Sequence, residues 1–433
     1  MNKKLLVLAV SALGASQAFA ATEIELWHAM GGALGEKVDE IVAEFNGSQA
    51  DYVVNATYRG NYNETMTGAI AAFRSGEQPQ IVQVYEVGTA TMMGAEGAIY
   101  PMYQLMDELS SGFDQDDYLS TVTGYYADEN GNMLSMPFNS STPVVYYNKA
   151  MFADAGLPDR GPRTWEEMDE FGNALLEAGY DCGFTTAWQS WVHLENLSAR
   201  HNVPFATKAN GFGGLDTELV FNSDLQIAHV KQMGEWQQEG IFSYSGRTNE
   251  GSVKFYSEEC GMYTESSAGY AGINANAQFD FGVSQLPYWE SAIDTPQNTI
   301  IGGATLWTLR GHDEADYQAV AAFFDYLSLS EVQADWHQFS GYLPVTYEAI
   351  ELTREQGFYE QNPGTDTSII QMTSVEPTDN SRGLRLGNFP QIRGIIDEAL
   401  ESVWNGDATA EDALNTAVSR GNDQLRRFER ANR

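Results

Sequence analysis

Residues 22–46 read TEIELWHAMGGALGEKVDEIVAEFN and predict the first strand and the first helix of an α/β fold. Residues 22–27 have a short strand pattern, and Gly31, Gly32 and Gly35 lead from it into a helix. That helix has one apolar face, because four apolar side chains recur at helical spacing, namely Val38, Ile41, Val42 and Phe45.

The alternation of strands and helices continues along the chain. Further strand patterns lie at 52–58, 80–87, 143–147, 279–286 and 300–309. Thr164 and Glu167 form a capping-box pattern that opens a helix, and Pro390 suits the first turn of a helix that stops near Gly406. Strands that alternate with helices favour a parallel sheet in an α/β protein.

The N-terminus has the pattern of a secretory signal peptide over residues 1–20. Lys3 and Lys4 precede an apolar run at 5–15, and residues 18–20 (AFA) form a small-x-small cleavage site. A membrane anchor is the alternative, but a spanning helix needs roughly twenty apolar residues. We therefore expect a mature protein that is soluble outside the cytoplasm.

Length and charge limit the possible functions. The 433 residues are too many for one ordinary core and predict two lobes, and the lack of a low-complexity linker predicts several chain crossings between them. A net charge of -37 argues against nucleic acid or anionic lipid as a partner. It also repels anions at long range, so any phosphate site has to be built locally from backbone N–H groups and an arginine.

The sequence offers no catalytic or metal-binding motif. G-x-S-x-G, a Walker loop and H-E-x-x-H are all absent, and we expect neither an enzyme nor a cofactor. Cys182 and Cys260 are the only cysteines, and they either pair in an oxidising compartment or remain two buried thiols. Aromatic residues make up 12% of the chain, and clusters such as WQSW at 188–191 place rings beside hydrogen-bonding groups, as polyol ligands require.

Several long strings carry a resemblance to a known family. They include QVYEVGTATMM at 83–93, PFNSSTPVVYYNKAMFADAGL at 137–157, TIIGGATLW at 299–307, SGYLPVT at 340–346 and GLRLGNFPQIRGIIDEALESVWNG at 383–406. The chain resembles, over nearly its whole mature length, the periplasmic glycerol-3-phosphate-binding proteins of Ugp-type ABC importers. The resemblance implies a two-lobed, type II periplasmic-binding-protein (Venus-flytrap) fold. We expect lobe 1 at 21–136 plus 299–341 and lobe 2 at 137–298 plus 342–433.

The resemblance also implies nine ligand-binding residues in the cleft between the lobes: Tyr62, Glu86, Ser141, Trp188, Trp191, Ser266, Gly303, Tyr342 and Arg393. Arg393 is expected to pair bidentately with a phosphate, while the serine and tyrosine hydroxyls and the Gly303 N–H donate to its oxygens. Glu86 would accept hydrogen bonds from glycerol hydroxyls. The two tryptophans would cover the glycerol carbons or a choline group.

Glu265 departs from the pattern of the family, in which a small or hydroxyl residue is expected beside Ser266. A carboxylate at this position disfavours a dianion unless it turns outward. The expected function is a monomeric receptor that captures sn-glycerol-3-phosphate or a glycerophosphodiester and delivers it to inner-membrane permease subunits. The alternatives are a binding protein for a neutral oligosaccharide and a secreted glycerophosphodiester hydrolase.

Overall fold

The computed structural model describes residues 21–95, 97–110 and 112–433, and the predicted signal peptide at 1–20 lies outside these ranges. The strands are β1 (Thr22–His28), β2 (Tyr52–Tyr58), β3 (Ile81–Tyr85), β4 (Ile99–Tyr100), β5 (Met136–Ser141), β6 (Pro143–Asn148), β7 (Cys182–Thr186), β8 (Cys260–Ser266), β9 (Phe281–Gln285) and β10 (Gly302–Leu309). They form two separate sheets, one in each lobe.

The helices of four residues or more are, in chain order, Gly32–Ser48, Tyr62–Ser75, Thr89–Gly94, Met102–Leu109, Ser120–Tyr126, Lys149–Asp154, Trp165–Glu177, the π-helical turn Trp191–Asn196, Leu197–Arg200, Thr207–Asn210, Asp224–Glu239, Ser252–Tyr256, Gly269–Asn276, Glu314–Leu327, Ser330–Ser340, Tyr347–Glu355, Phe358–Gln361, Thr367–Thr373, Phe389–Trp404 and Ala410–Ala431. No helix within the described ranges has both the length and the apolar character needed to cross a membrane.

The first sheet has the order β2-β1-β3-β10-β4, and β5 also pairs with β10. Strand β1 is parallel to β2 and β3, whereas β10 is antiparallel to β3, β4 and β5. The sheet is therefore mixed, and the prediction of a parallel sheet holds only for β1, β2 and β3. The reason is that β10 enters this sheet from the second lobe, far along the chain and in the opposite direction.

The second sheet has the order β7-β8-β6-β9 and is also mixed. Strands β7 and β8 are parallel, and β6 is antiparallel to β8 and β9. Because β5 and β6 lie in different sheets and are separated by Thr142 alone, the chain changes lobe at that residue. Thr142 donates a hydrogen bond to Thr299, on the return crossing, at 2.5 Å, and Gln371 donates to Thr142 at 3.4 Å.

Each lobe has its own hydrophobic core. The first core packs the helix Gly32–Ser48 and the helix Glu314–Leu327 against the first sheet. The second core contains Trp165, Trp236 and the apolar faces of the two C-terminal helices, Phe389–Trp404 and Ala410–Ala431. The predicted lobe boundaries stay a prediction. The pairing of β5 with β10, and the packing of Tyr342 in the first core, favour boundaries that are slightly later than those predicted.

The two cysteines form a disulfide bond, Cys182–Cys260. They are directly paired at the first positions of the parallel strands β7 and β8. The bond therefore joins two neighbouring strands of the second sheet and closes a loop with a sequence separation of 78 residues. This decides a question that the residues alone had left open.

Loss of this disulfide is expected to destabilise the protein. For a loop of this length, the chain-entropy model gives a decrease of about 4 kcal/mol in the free energy of unfolding. The Cys182→Ser/Cys260→Ser variant should show this decrease in urea unfolding followed by circular dichroism. A reducing agent should lower the free energy of unfolding of the wild type to that of the variant and should not change the value of the variant. Equal stability of the two proteins under oxidising conditions would contradict the expectation.

Candidate ligand-binding site

A cavity of about 130 Å³ lies between the two lobes. The first lobe contributes residues from the start of the helix Tyr62–Ser75, from the C-terminal ends of β3 and β5, and from the beginning of β10. The second lobe contributes the segment after β7, the end of β8 and the helix Phe389–Trp404. All nine residues expected at the site line this cavity: Tyr62, Glu86, Ser141, Trp188, Trp191, Ser266, Gly303, Tyr342 and Arg393.

Tyr62 is positioned by the start of its helix. Asn61 caps the helix in a capping box with Glu64, which directs the first residue of the helix toward the cavity. The ring of Tyr62 stacks on Tyr85 with centroids 5.3 Å apart, and its hydroxyl accepts a hydrogen bond from Asn139 at 2.8 Å. Burial raises the pKa of Tyr62 well above its usual value, so the phenol stays protonated and keeps its O–H as a donor.

The glycine pair of β10 is required by packing. Gly303 has a φ of +91°, and a Cβ there would lie 1.8 Å from the carbonyl oxygen of Asn139 on β5. A Cβ at Gly302 would lie 2.4 Å from the ring of Trp191. The two glycines therefore let β5 and Trp191 approach the strand closely, and any larger residue at either position would displace a wall of the cavity.

The two tryptophans belong to a strained segment that follows β7. Trp188 has a φ of +47°, which is uncommon for a residue with a large side chain. Trp191 begins a π-helical turn that ends at Asn196, and such turns concentrate at functional sites. The turn carries Trp191, which lines the cavity, and Glu195, which accepts hydrogen bonds from Arg393.

Arg393 is held between two carboxylates. Its Nε and Nη2 donate to the two oxygens of Glu195 at 2.9 and 2.7 Å, and Nη2 also donates to Glu86 at 2.7 Å. Glu195 is 2% exposed and Glu86 is 6% exposed, so both ion pairs are shielded from water. Glu86 belongs to the first lobe and Glu195 to the second, and the guanidinium therefore links the lobes.

This arrangement corrects the expected role of Arg393. The bidentate edge of the guanidinium, which was expected to grip a phosphate, is occupied by Glu195. Only Nη1 is without a partner among the described residues. The side chain lies at the cavity as predicted, but its charge is already compensated by protein carboxylates.

Glu265 also lines the cavity and does not turn outward. It is 4% exposed, and its carboxylate accepts hydrogen bonds from the Tyr263 hydroxyl at 2.5 Å and from the Ser266 N–H at 2.6 Å. Burial raises the pKa of Glu265 to about 7, while these hydrogen bonds oppose the shift. Within the described ranges no lysine or arginine forms an ion pair with it, in contrast to Glu86 and Glu195.

Comparison with known proteins identifies the family. The family model described as "Bacterial extracellular solute-binding protein" matches residues 40–366. The chain belongs to this family. The sn-glycerol-3-phosphate-binding periplasmic protein UgpB of Escherichia coli (strain K12) is 49% identical over 98% of this chain and 97% of its own length. The protein of the same name from Salmonella typhimurium (strain LT2) is 49% identical over 98% of both chains.

Solved structures confirm the fold of this solute-binding protein. The crystal structure of UgpB from Mycobacterium tuberculosis in complex with glycerophosphocholine has a TM-score of 0.79, with 24% identity over 94% of this chain and 99% of that one. A cyclic alpha-maltosyl-1,6-maltose binding protein from Arthrobacter globiformis has a TM-score of 0.73, with 22% identity over 94% of this chain and 100% of that one. The two-lobed type II fold that was expected from the resemblance is thus confirmed.

Sequence reasoning missed several residues of the site in this solute-binding protein. Glu195 was not predicted, although it lies four residues after Trp191 in WVHLE, a spacing that places two side chains on one helical face. Tyr85 was missed although it directly precedes Glu86, and Asn249 belongs to a loop without a recognisable motif. The described residues contain no group of three or more side chains suited to hold a metal ion.

Removal of the Arg393 charge is expected to destabilise the protein. The Arg393→Gln variant leaves two buried carboxylates without their cation, which costs about 3 kcal/mol or more of the free energy of unfolding. Urea unfolding at pH 7 measures this decrease. The matched control is the triple variant Glu86→Gln/Glu195→Gln/Arg393→Gln, in which no unpaired charge remains and most of the stability should return. Equal destabilisation of both variants would show that packing, and not charge, is the cause.

Proposed function

We propose that this protein is the periplasmic receptor of an ABC importer for sn-glycerol-3-phosphate or glycerophosphodiesters. The observation that carries the proposal is a ring of hydroxyl donors from both lobes around one cavity, formed by Tyr62, Ser141, Ser266 and Tyr342. The two curated relatives at 49% identity, each named as a binding protein for this compound, support the same ligand class.

The hydroxyl ring is suited to a phosphate group. The Oγ of Ser266 accepts a hydrogen bond from the Ala268 N–H at 3.1 Å, so its own proton is free to donate to a ligand. Gly269 lines the cavity at the start of the helix Gly269–Asn276, where N–H groups and the helix dipole favour an anion. These neutral donors bind a phosphate without requiring a free cation, which agrees with the neutralised state of Arg393.

Other residues that line the cavity are suited to a glycerol moiety. Glu86 uses one carboxylate oxygen for Arg393 and keeps the other for a ligand hydroxyl, and Nη1 of Arg393 supplies a neighbouring donor. A carboxylate beside a guanidinium recognises adjacent hydroxyl groups through accepted and donated hydrogen bonds. The rings of Tyr85, Trp188 and Trp191 cover the carbon atoms of the ligand.

The size of the cavity favours a small ligand. Pockets for drug-sized molecules have volumes of about 300–1,000 Å³, whereas this cavity has about 130 Å³. A glycerol phosphate or a small glycerophosphodiester is therefore favoured over the neutral oligosaccharide considered above. In this proposal the receptor acts as a monomer and performs no covalent chemistry. Because the ligand contacts both lobes, it stabilises the closed form that is presented to the inner-membrane permease.

Calorimetry with a single hydroxyl removed tests the proposal. Ser141→Ala is expected to weaken binding of glycerol-3-phosphate and glycerophosphocholine by roughly tenfold to a hundredfold, because a hydrogen bond to a charged group is lost. Ser140→Ala is the matched control, since its buried Oγ neighbours Ser141 on β5 but does not line the cavity, and its affinity should equal that of the wild type.

Two outcomes would contradict the proposal. One is a wild-type protein, refolded free of ligand, that binds neither compound while it binds maltose. The other is the appearance of free choline when the purified protein is incubated with glycerophosphocholine, which would favour the hydrolase alternative.

A further inference from the structure

Glu265 is a buried carboxyl group that forms no ion pair with a basic side chain among the described residues. Glu86 and Glu195 share Arg393, but no basic side chain of the described part of the chain is paired with Glu265. When ionised, these three carboxylates and Arg393 sum to a charge of -2 at and beside the cavity. An uncompensated buried carboxylate is costly, and a cation supplied by a ligand would remove that cost.

The carboxylate is fixed in its position toward the cavity. The Tyr263 hydroxyl and the Ser266 N–H each donate to one of its oxygens, and both oxygens keep a further lone pair for another contact. The side chain packs on Gly269, where a Cβ would lie only 2.5 Å from the Cγ of Glu265. Glu265 is thus preorganised and does not need to rotate to meet a ligand.

Aromatic rings lie in the same cavity as this carboxylate. Trp188 and Trp191 line it together with Glu265, and the Trp188 side chain lowers the pKa of Glu265 and so opposes the effect of burial. Trp191 is 4% exposed, and its indole packs on Gly302. Indole faces combined with a carboxylate attract an organic cation, and a quaternary ammonium group binds best to such a surface.

The possible glycerol phosphate ligands differ in their net charge. Glycerol-3-phosphate is a monoester with a charge of about -1.5 to -2 at pH 7, and it would enter a cavity whose own charge is already negative. A glycerophosphodiester with a cationic headgroup is a zwitterion. Its single phosphate charge meets the neutral donors, while its cation meets Glu265.

We propose that Glu265, with Trp188 and Trp191, forms a seat for the cationic headgroup of a zwitterionic glycerophosphodiester and selects such diesters over glycerol-3-phosphate. This inference rests on the proposed function and adds the class of diester to it. The relevant chemistry is a choline or ethanolamine headgroup, and the ligands of the experiment distinguish these two.

Calorimetry with matched ligands tests the seat. The ligands are glycerophosphocholine, glycerophosphoethanolamine, glycerol-3-phosphate and glycerophospho-3,3-dimethylbutanol, in which carbon replaces the choline nitrogen. At pH 8 the wild type is expected to bind glycerophosphocholine about tenfold tighter than its carbon analogue. The ratio of these two affinities is called the headgroup ratio below. Glu265→Gln should reduce this ratio to about two and improve the affinity for glycerol-3-phosphate by about tenfold.

Glu250→Gln is the matched control variant. Glu250 is exposed, lies outside the cavity lining and acts on Glu265 only through its charge, so the headgroup ratio should stay at the wild-type value. A ratio near one in the wild type, or a wild-type ratio in Glu265→Gln, would overturn the inference while leaving the proposed function intact. Failure of all the glycerol phosphates to bind would overturn the proposed function, and the inference with it.

A pH series on the wild type gives a second test that requires no variant. Glu265, with a pKa of about 7, is ionised at pH 8 and protonated at pH 5.5. The headgroup ratio should therefore fall about fivefold, to about two, as the pH decreases, because the phosphodiester and the choline do not titrate in this range. Four phenols act electrostatically with Glu265 and stay protonated because burial raises their pKa values: Tyr146, Tyr256, Tyr263 and Tyr342. Burial also raises the pKa of Asp397, beside Arg393, to about 7, so the series is repeated on Glu265→Gln, in which the headgroup ratio should not change with pH. A wild-type headgroup ratio that stays constant between pH 5.5 and pH 8 would overturn the inference.

Discussion

The ion-pair triad Glu86–Arg393–Glu195 is the constraint on which the cleft depends. One guanidinium satisfies two buried carboxylates, one from each lobe, through three hydrogen bonds of 2.7–2.9 Å. Burial by itself disfavours the charged form of each of these groups, so the three are stable only together. The triad therefore fixes the helix Phe389–Trp404, the π-helical turn Trp191–Asn196 and the end of β3 relative to one another. These same elements carry much of the cavity wall.

The triad also explains how a very acidic protein can present a site for an anion. The net charge is -37, and Arg393, the basic residue among the described residues that line the cavity, is already paired with two carboxylates. The available donors are neutral hydroxyls and backbone N–H groups, which hold a phosphate through directed hydrogen bonds and not through long-range attraction. Such a site favours a ligand that brings little net charge. Glu265 strengthens this preference because it adds a carboxylate that the protein itself does not neutralise.

The crossings between the lobes place the hydroxyl donors where the two sheets meet. Ser141 ends β5 directly before Thr142, and Gly303 pairs with this strand at the beginning of β10. Thr142, Thr299 and Gln371 come from three separate passages of the chain, and the Thr142 hydroxyl donates to Thr299 and accepts from Gln371. Ser266 lies beside the same crossing, because it pairs with Pro143 and the next N–H, that of Ser267, donates to the Thr142 carbonyl at 2.9 Å. A hinge of this kind transmits the presence of a small ligand to the whole molecule.

Much of this protein was readable from local pattern. Apolar spacing predicted the helix Gly32–Ser48, the buried strand at β3 and the apolar stripe of the helix Phe389–Trp404, because each of these signals depends only on neighbours in the sequence. The resemblance then supplied nine of the sixteen residues that line the cavity. Strands β5 and β8 were missed because their buried positions carry asparagine, serine, threonine and glutamate, which local pattern assigns to loops.

Only the tertiary structure could decide the charges and partners of these residues. Arg393 is separated in the sequence from Glu86 by 307 residues and from Glu195 by 198 residues, and nothing local shows that they meet. The mixed order of the first sheet, the pairing of Cys182 with Cys260 and the inward orientation of Glu265 likewise depend on long-range packing. The physical reason is that residue type sets which bonds a side chain can form, whereas burial and proximity in the folded chain set which of them it does form.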